Sequence, residues 1–543
     1  MKEIKPSGSV NLAGGWKQDV LPGYENEVAQ LLSAQKLREL DKIFTNPLGR
    51  VTAIKPSPRD MTAAVLTARL SRAGERDVTE LFWREFLKDF GESVGDRILN
   101  EFGDDSVRED ASGYVFVRDA SVLTSMQIFR HPLVTGIEAS TRYINWAELP
   151  LDEFAVWPEK IMGDPEAKEI YTEAVKLSRD AYRQLWQPVW DYVVATNPKE
   201  QGQSEAAHKR AVKGAVCDVL RGMLPLGIKT NFGLLGTYRT LTEVVMDAKA
   251  SDLDETAQIA DEIDSEIQKT NPIFAKVTRS EHGAKWTEYR KKINKILKDF
   301  GQSDKDWEDQ DNGLYVSVEI LNKSWSKDLF REALVSRNGQ LSSRDNWELN
   351  RQFSSNNKLL KLLSEIGGAR TNRRHKVPEA INAIVTRVRI ENLSFGAFKD
   401  LNRHRPLLFK SEPDWTGSRG FVIPREIEEI GGSTRDLYVK EQEQLHEAMS
   451  KLRIKFPEES KLLLTHGSKT SVEMVMGGGE DFWITELRSI PSGNPEYREI
   501  AAEWYRSLIE EATALKNLGS FVDEKGYTLG RIGEAVKADL RGK

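Results

Sequence analysis

The chain has a single cysteine, Cys217, which excludes an intramolecular disulfide and a cysteine metal cluster. Long apolar runs are missing too. No stretch approaches the roughly 20 apolar residues a bilayer-spanning helix needs, and the opening MKEIKPSGSVNLAGGWKQD has no apolar run of signal-peptide length. Both absences fit a reducing, cytoplasmic setting and argue against membrane insertion. Nor is there a surplus of positive charge. The 78 Lys and Arg face 84 Asp and Glu, and a net charge of −6 argues against a general nucleic-acid binder. The basic, aromatic stretch at 276–300 therefore reads as a solvated helix face. P-loops, GxGxxG turns between strand and helix, and histidine pairs at metal-ligand spacing are all lacking, so no metal site is expected.

What is present suits a folded protein with sizeable cores: 39% hydrophobic and 30% charged residues. At 543 residues the chain exceeds one compact core. Residues 1–50 read as an extension carrying one helical pattern, VAQLLSAQKLRELDKIF. From Val51 a short strand, a proline turn and the Ala-Leu-rich helix of TAAVLTARLS follow; then come the helix ELFWREFLKDF, the acidic turn GDDS, the alternating GYVFVRD and a helix that Pro132 should stop. The segment after Pro132 reads as a loop, and residues 165–250 read as helices, one of them ending near Leu224 and Pro225. The acidic DKDWEDQDNG precedes a strand-like LYVSVEIL and marks a boundary near residue 320. Beyond it the order recurs: AIVTRVRIE as a strand, a helix into LNRHRP, a loop, the long helix EQEQLHEAMSKLRIKF, KTSVEMVM as a strand and a terminal helical region. The expected fold is α/β (α+β), with two related domains at 51–320 and 321–543, each a sheet flanked by helices.

Two anchors support duplication. Arg-His follows an apolar helix as QIFRHP at 127–132 and as DLNRHRP at 400–406. Farther on, Arg221 in RGMLPLG matches Lys461 in KLLLTHG, and 27 positions later stand Ala248 in one copy and Arg488 in the other. One copy has the arginine that the other lacks.

These residues resemble the flavin-dependent thymidylate synthases, whose signature is an Arg-His-Arg triplet, a later Ser and a closing Arg-Tyr. RHPLVTGIEASTRY keeps Arg130, His131, Glu138, Ser140, Arg142 and Tyr143 but has Pro132 in the third place of the triplet. RHRPLLFKSEPDW keeps Arg403, His404 and Arg405 but puts Ser411, Pro413 and Trp415 where the loop residues belong. The resemblance covers most of 51–250 and of 335–510. Family members are tetramers with active sites between subunits, so it implies one composite site. In that site Glu138, Ser140, Arg142, Arg221 and Arg403 would hold dUMP, and Arg488 would stabilise charge developing on the uracil ring. Ser106, Glu138, Arg403, His404 and Arg405 would meet FAD. The reaction implied is reductive methylation of dUMP, with methylene-tetrahydrofolate and NADPH as co-substrates, in a homodimer that reproduces the family's four-domain assembly. The reciprocal site would be dead. Asp104, where a histidine is usual, and GGGE with Trp483 at 477–483 depart from the family pattern. The glycines there would bring backbone amides to a phosphate or form a flexible turn. Two alternatives stay open: flavin-dependent modification of another pyrimidine nucleotide, and a degenerate, non-catalytic protein kept for nucleotide binding or assembly.

Overall fold

In the computed structural model, residues 8–12, 16–20, 34–56, 108–141, 144, 146–199, 201, 203–301, 316–321, 356–511 and 513–525 are described. The helices expected at TAAVLTARLS and ELFWREFLKDF, the turn GDDS and the acidic boundary at 304–313 lie outside them. The chain forms two compact units, each discontinuous in sequence: Met1–Ala139 with Ala155–Pro158 and Gly227–Asp306, and Ser140–Phe154 with Glu159–Leu226 and Trp307–Lys543. The helices Pro165–Thr196 and Glu205–Leu220 thus belong to the second unit.

The first unit opens with a hairpin of β1 (Gly8–Leu12) and β2 (Trp16–Val20), followed by the helix Ala34–Ile43, which lies within the expected helical pattern. Its main sheet is antiparallel, in the order β3 (Val51–Ala53), β4 (Ser112–Ser121), β6 (Lys229–Thr237), β5 (Thr135–Glu138). Two of these strands correct the sequence reading. The segment after Pro132, taken as a loop, supplies the edge strand β5, and the run taken as helical through residue 250 contains the central strand β6. KTNFGLLGT carries two glycines that dilute its alternation, yet every second residue is buried. Val115, Val117, Phe232 and Leu234 pack this sheet against Tyr238, Leu241, Val245, Ile259 and Ile263 of the helices Tyr238–Ala248 and Asp254–Thr270. At roughly 1.5 to 3 kcal/mol per fully buried large apolar side chain, such a cluster supplies the main driving force locally.

The second unit holds an antiparallel sheet in the order β7 (Ser317–Ile320), β8 (Val385–Ser394), β10 (Lys469–Gly477), β9 (Phe409–Lys410). The strands expected at LYVSVEIL, AIVTRVRIE and KTSVEMVM are β7, β8 and β10. The helix Gly432–Arg453 packs on the helix Pro165–Thr196, and the helices Gly478–Arg488 and Pro495–Glu511 pack together beside the sheet.

The two sheets share one device for launching a short helix. β4 and β8 each carry a bulge with a residue in the left-handed region, Asp119 at φ 53° and Asn392 at φ 58°. Asp and Asn tolerate that conformation better than most side chains. Two residues later Ser121 and Ser394 cap the helices Val122–Ile128 and Phe395–Leu401, accepting from Thr124 N and Ala397 N. A glutamate, Glu255 or Glu496, in turn accepts from the backbone N–H and hydroxyl of each serine.

Candidate functional site

The short helix Phe395–Leu401 buries Phe395, Ala397, Phe398 and Leu401, which leaves its end and the following turn to carry polar groups. Arg403, His404 and Arg405 occupy that turn. Arg403 is exposed, Arg405 half-buried and His404 buried.

At the end of this helix, arginines from distant parts of the chain meet on Asp400. Arg221 begins the 3-10 turn Arg221–Met223 after the helix Glu205–Leu220, is buried, and donates from Nη1 to Asp400 Oδ2 at 3.1 Å. Arg488, the last residue of the helix Gly478–Arg488, donates from Nη2 to the Asp400 carbonyl at 2.6 Å. Its guanidinium also lies over the Tyr497 ring at 5.4 Å. Gly396 makes room for Arg221, because a Cβ there would come within 3.0 Å of the guanidinium.

His404 links Arg488 to a carboxylate. Arg488 Nε donates to His404 Nε2 at 2.9 Å, so that nitrogen has no proton, and the proton of the neutral ring must sit on Nδ1. Nδ1 faces Glu480 Oε1 at 3.3 Å. Burial, then the positive charges of Arg488 and Lys410, hold the imidazole well below its ordinary value, as this tautomer requires. Burial pushes the Glu480 carboxyl up to about 7. The result is an ordered chain, Glu480 to His404 to Arg488, that fixes one guanidinium without a net positive imidazole.

The matching histidine of the first unit is wired differently. His131 Nε2 lies 3.3 Å from Glu243 Oε2, and the helix that carries Glu243 ends in Ala248, not in an arginine. In the second unit, Ser411 and Trp415, on the segment after β9, make structural contacts. Trp415 stacks on Phe395 with ring centroids 5.0 Å apart, and Ser411 Oγ accepts from Glu473 N.

Among the candidates read from sequence, Arg221, His404 and Arg488 are brought together, with Arg403 and Arg405 on the adjoining turn. Ser140 is half-buried in the same unit. Glu138 belongs to the first unit, where it is buried at the end of β5 and accepts from Ser125 Oγ at 3.0 Å. Arg142 and Ser106 lie outside the described residues. The glycine triplet corrects the sequence reading: its amides serve neither a phosphate nor a flexible turn. Gly478 N donates to the Ile384 carbonyl, Gly479 N donates to Asn382 Oδ1 at 3.0 Å, and a Cβ at Gly477 or Gly479 would strike Asn382. Trp483 is half-buried, with Lys376 Nζ 5.8 Å from its ring centroid.

Asp400 and Glu480 are partners that sequence reasoning missed. Both sit inside the matched motifs, DLNRHRP and GGGE, so proximity to the arginines was their only signal. A pocket of about 140 Å³ lies beside Arg221, bounded by Asn392, Ser394, His466, Asn494 and Glu496 among others. Among the described residues no group of three or more His, Cys, Asp or Glu is arranged to hold a metal, and no helix is long and apolar enough to cross a membrane.

Over residues 53–273 and 333–512 the chain matches the family described as thymidylate synthase complementing protein (Thy1), and it belongs to that family. The UPF0159 protein of Chlamydia muridarum is 26% identical over 446 residues, covering 80% of this chain and 82% of its own length. The UPF0159 protein of Thermoplasma acidophilum is 24% identical over 514 residues, covering 88% of this chain and 98% of its own. A flavin-dependent thymidylate synthase of Mycobacterium sp. (strain JLS) is 29% identical over 143 residues, 26% of this chain and 52% of that protein. Among solved structures, the UMP/dUMP methylase PolB of Streptomyces cacaoi is similar at 15% identity and a TM-score of 0.29, over 42% of this chain and 94% of that one. The flavin-dependent thymidylate synthase ThyX of Helicobacter pylori, solved with FAD and dUMP, is similar at 15% identity and a TM-score of 0.27, over 39% and 92%.

Proposed function

We propose that this chain is a flavin-dependent thymidylate synthase that methylates dUMP reductively at one composite site. The observation that carries the reading is the meeting of Arg221 and Arg488 on Asp400. The family match and the name of the mycobacterial relative support the same chemistry.

Arg221, with Arg142 and Ser140, is assigned to the nucleotide phosphate, which a planar guanidinium can grip through paired hydrogen bonds. Arg488 is assigned to the uracil ring. A fixed positive group beside the ring's imide lowers the cost of negative charge developing there, and it does so best when it need not reorganise. The chain from Glu480 through His404 provides that fixity, and the neutral imidazole keeps a second positive charge from repelling the first.

The donor set also fits FAD. Arg403 and Arg405 place two cations, one exposed and one half-buried, on one turn beside a planar imidazole, a set suited to a pyrophosphate. Arg403, His404 and Arg405 are the residues proposed to hold it. When bound, FAD supplies hydride-transfer chemistry. Methylene-tetrahydrofolate is the proposed one-carbon donor and NADPH the proposed reductant. The site is proposed to arise from two copies of one ancestral domain that kept complementary residues. Segments that follow the matched Arg221 and Lys461 lie against each other: Pro225 bridges Thr465, Leu226 N donates to the Leu464 carbonyl, and His466 N donates to the Leu224 carbonyl.

The test is reconstitution of purified protein with FAD, followed by dUMP-dependent oxidation of the reduced flavin in the presence of labelled methylene-tetrahydrofolate. Label appearing in thymidylate supports the reading. A colourless protein that takes up no FAD and gives no dUMP-dependent change contradicts it.

A further inference from the structure

Outside the arginine cluster, one side chain in the pocket beside Arg221 is left half-used. His466 is 1% exposed and lines that pocket. Its backbone N–H and its ring Nδ1 both bond to the Leu224 carbonyl, each at 2.8 Å. A carbonyl can only accept, so Nδ1 carries the proton, and Nε2 of the neutral ring is an obligatory acceptor. No group among the described residues bonds to Nε2.

Protonation offers this nitrogen no escape. Burial, then the nearby charges of Lys399 and Arg221, hold the imidazole down to about 3, so the ring stays neutral at physiological pH. The other polar side chains at the pocket are already engaged. Glu496 accepts from Ser394 N and Oγ, Asn494 Oδ1 accepts from Glu496 N, and Arg221 Nη1 serves Asp400. A buried acceptor with no donor is uncommon in folded proteins and calls for an explanation.

We infer that His466 Nε2 accepts a hydrogen bond from a sugar hydroxyl of the bound nucleotide, making His466 a specificity-determining residue of the site. This rests on the function proposed above: with the phosphate on Arg221 and the ring toward Arg488, the sugar is the part of the ligand between them. Hydroxyls are the donors a sugar offers, and an enclosed, neutral acceptor discriminates well against an analogue that lacks one, since that analogue would leave Nε2 buried and unpaired.

The experiment is equilibrium binding to the full chain of dUMP, UMP, 2′,3′-dideoxyuridine monophosphate and N3-methyl-dUMP, with wild type and His466→Asn. Asparagine retains a donor near the Nδ1 position, able to reach the Leu224 carbonyl, while deleting Nε2. The expected result is that wild type binds the dideoxy analogue at least about tenfold more weakly than dUMP, and that this gap closes in His466→Asn. Equal wild-type affinity for dUMP, UMP and the dideoxy analogue overturns the inference without reference to any variant. So does an unchanged gap in a folded His466→Asn protein, or a gap that closes only for N3-methyl-dUMP, which would put Nε2 on the ring imide instead. If wild type binds no uridine nucleotide, the proposed function falls and this inference with it, whereas nucleotide binding without hydroxyl discrimination removes the inference alone.

Discussion

Arg221 is reached by Gly396, whose missing side chain leaves space for the guanidinium. Gly396→Ala should therefore displace Arg221 and weaken dUMP binding by about tenfold, close to the loss of one charge-assisted hydrogen bond; an isotherm identical to wild type would show that Arg221 does not hold the nucleotide. Arg488 offers a sharper contrast. Arg488→Lys keeps the charge but cannot span His404 and the Asp400 carbonyl as the planar fork does. Its kcat should fall by at least about tenfold with little change in KM, because the interaction is assigned to the transition state. A large rise in KM at unchanged kcat would move Arg488 from chemistry to binding. The carboxyl of Glu480 titrates near 7, against an ordinary 4.5, because of burial. Between those values the folded state holds a proton that the unfolded state has released, so this group's contribution to stability falls as pH rises from about 4.5 to about 7 and then levels. Melting curves of Glu480→Gln should gain on wild type across that window, and parallel curves would show that Glu480 is not so perturbed.

At the scale of elements, the repeated launch of a short helix by a bulge, a capping serine and a half-buried glutamate is what aims the Arg-His pairs. Ser394→Ala should cost about 1 kcal/mol as a lost cap, more if Glu496 is left unpaired, and calorimetry would read it as a lowered Tm. Strands with clean alternation, such as VTRVRIE and KTSVEMVM, were legible in the sequence, as were the Arg-His anchors and the 27-residue spacing to Arg488. β6 was not. Its two glycines and the helical text on either side mask the alternation, and pairing with β4 and β5 settles its structure. β5 was hidden because four residues carry too little pattern and gain their conformation from the edge of β6. The glycine triplet misled because sequence shows that amides are accessible but not that Asn382 waits to receive one.

On the scale of the whole molecule, the family resemblance and the pairing of Arg221 with Arg488, which the structure brings together on Asp400, came from residues hundreds of positions apart that spacing alone could relate. Spacing could not show the partners that lock them. Asp400, Glu480 and His466 are ordinary polar residues in sequence, and only burial and direction make them informative. A homodimer is the expected state in solution, which light scattering coupled to size exclusion would report as twice the 61.5 kDa chain mass; a monomer that retains full activity would show that one chain suffices for the site. The most direct test of the central claim is thymidylate formation from dUMP, methylene-tetrahydrofolate and reduced FAD by Arg221→Ala, Arg488→Ala and Trp415→Ala proteins. A single composite site predicts that both arginine variants lose most activity while Trp415→Ala, if folded, retains the chemistry. Activity that survives both arginine substitutions would contradict it.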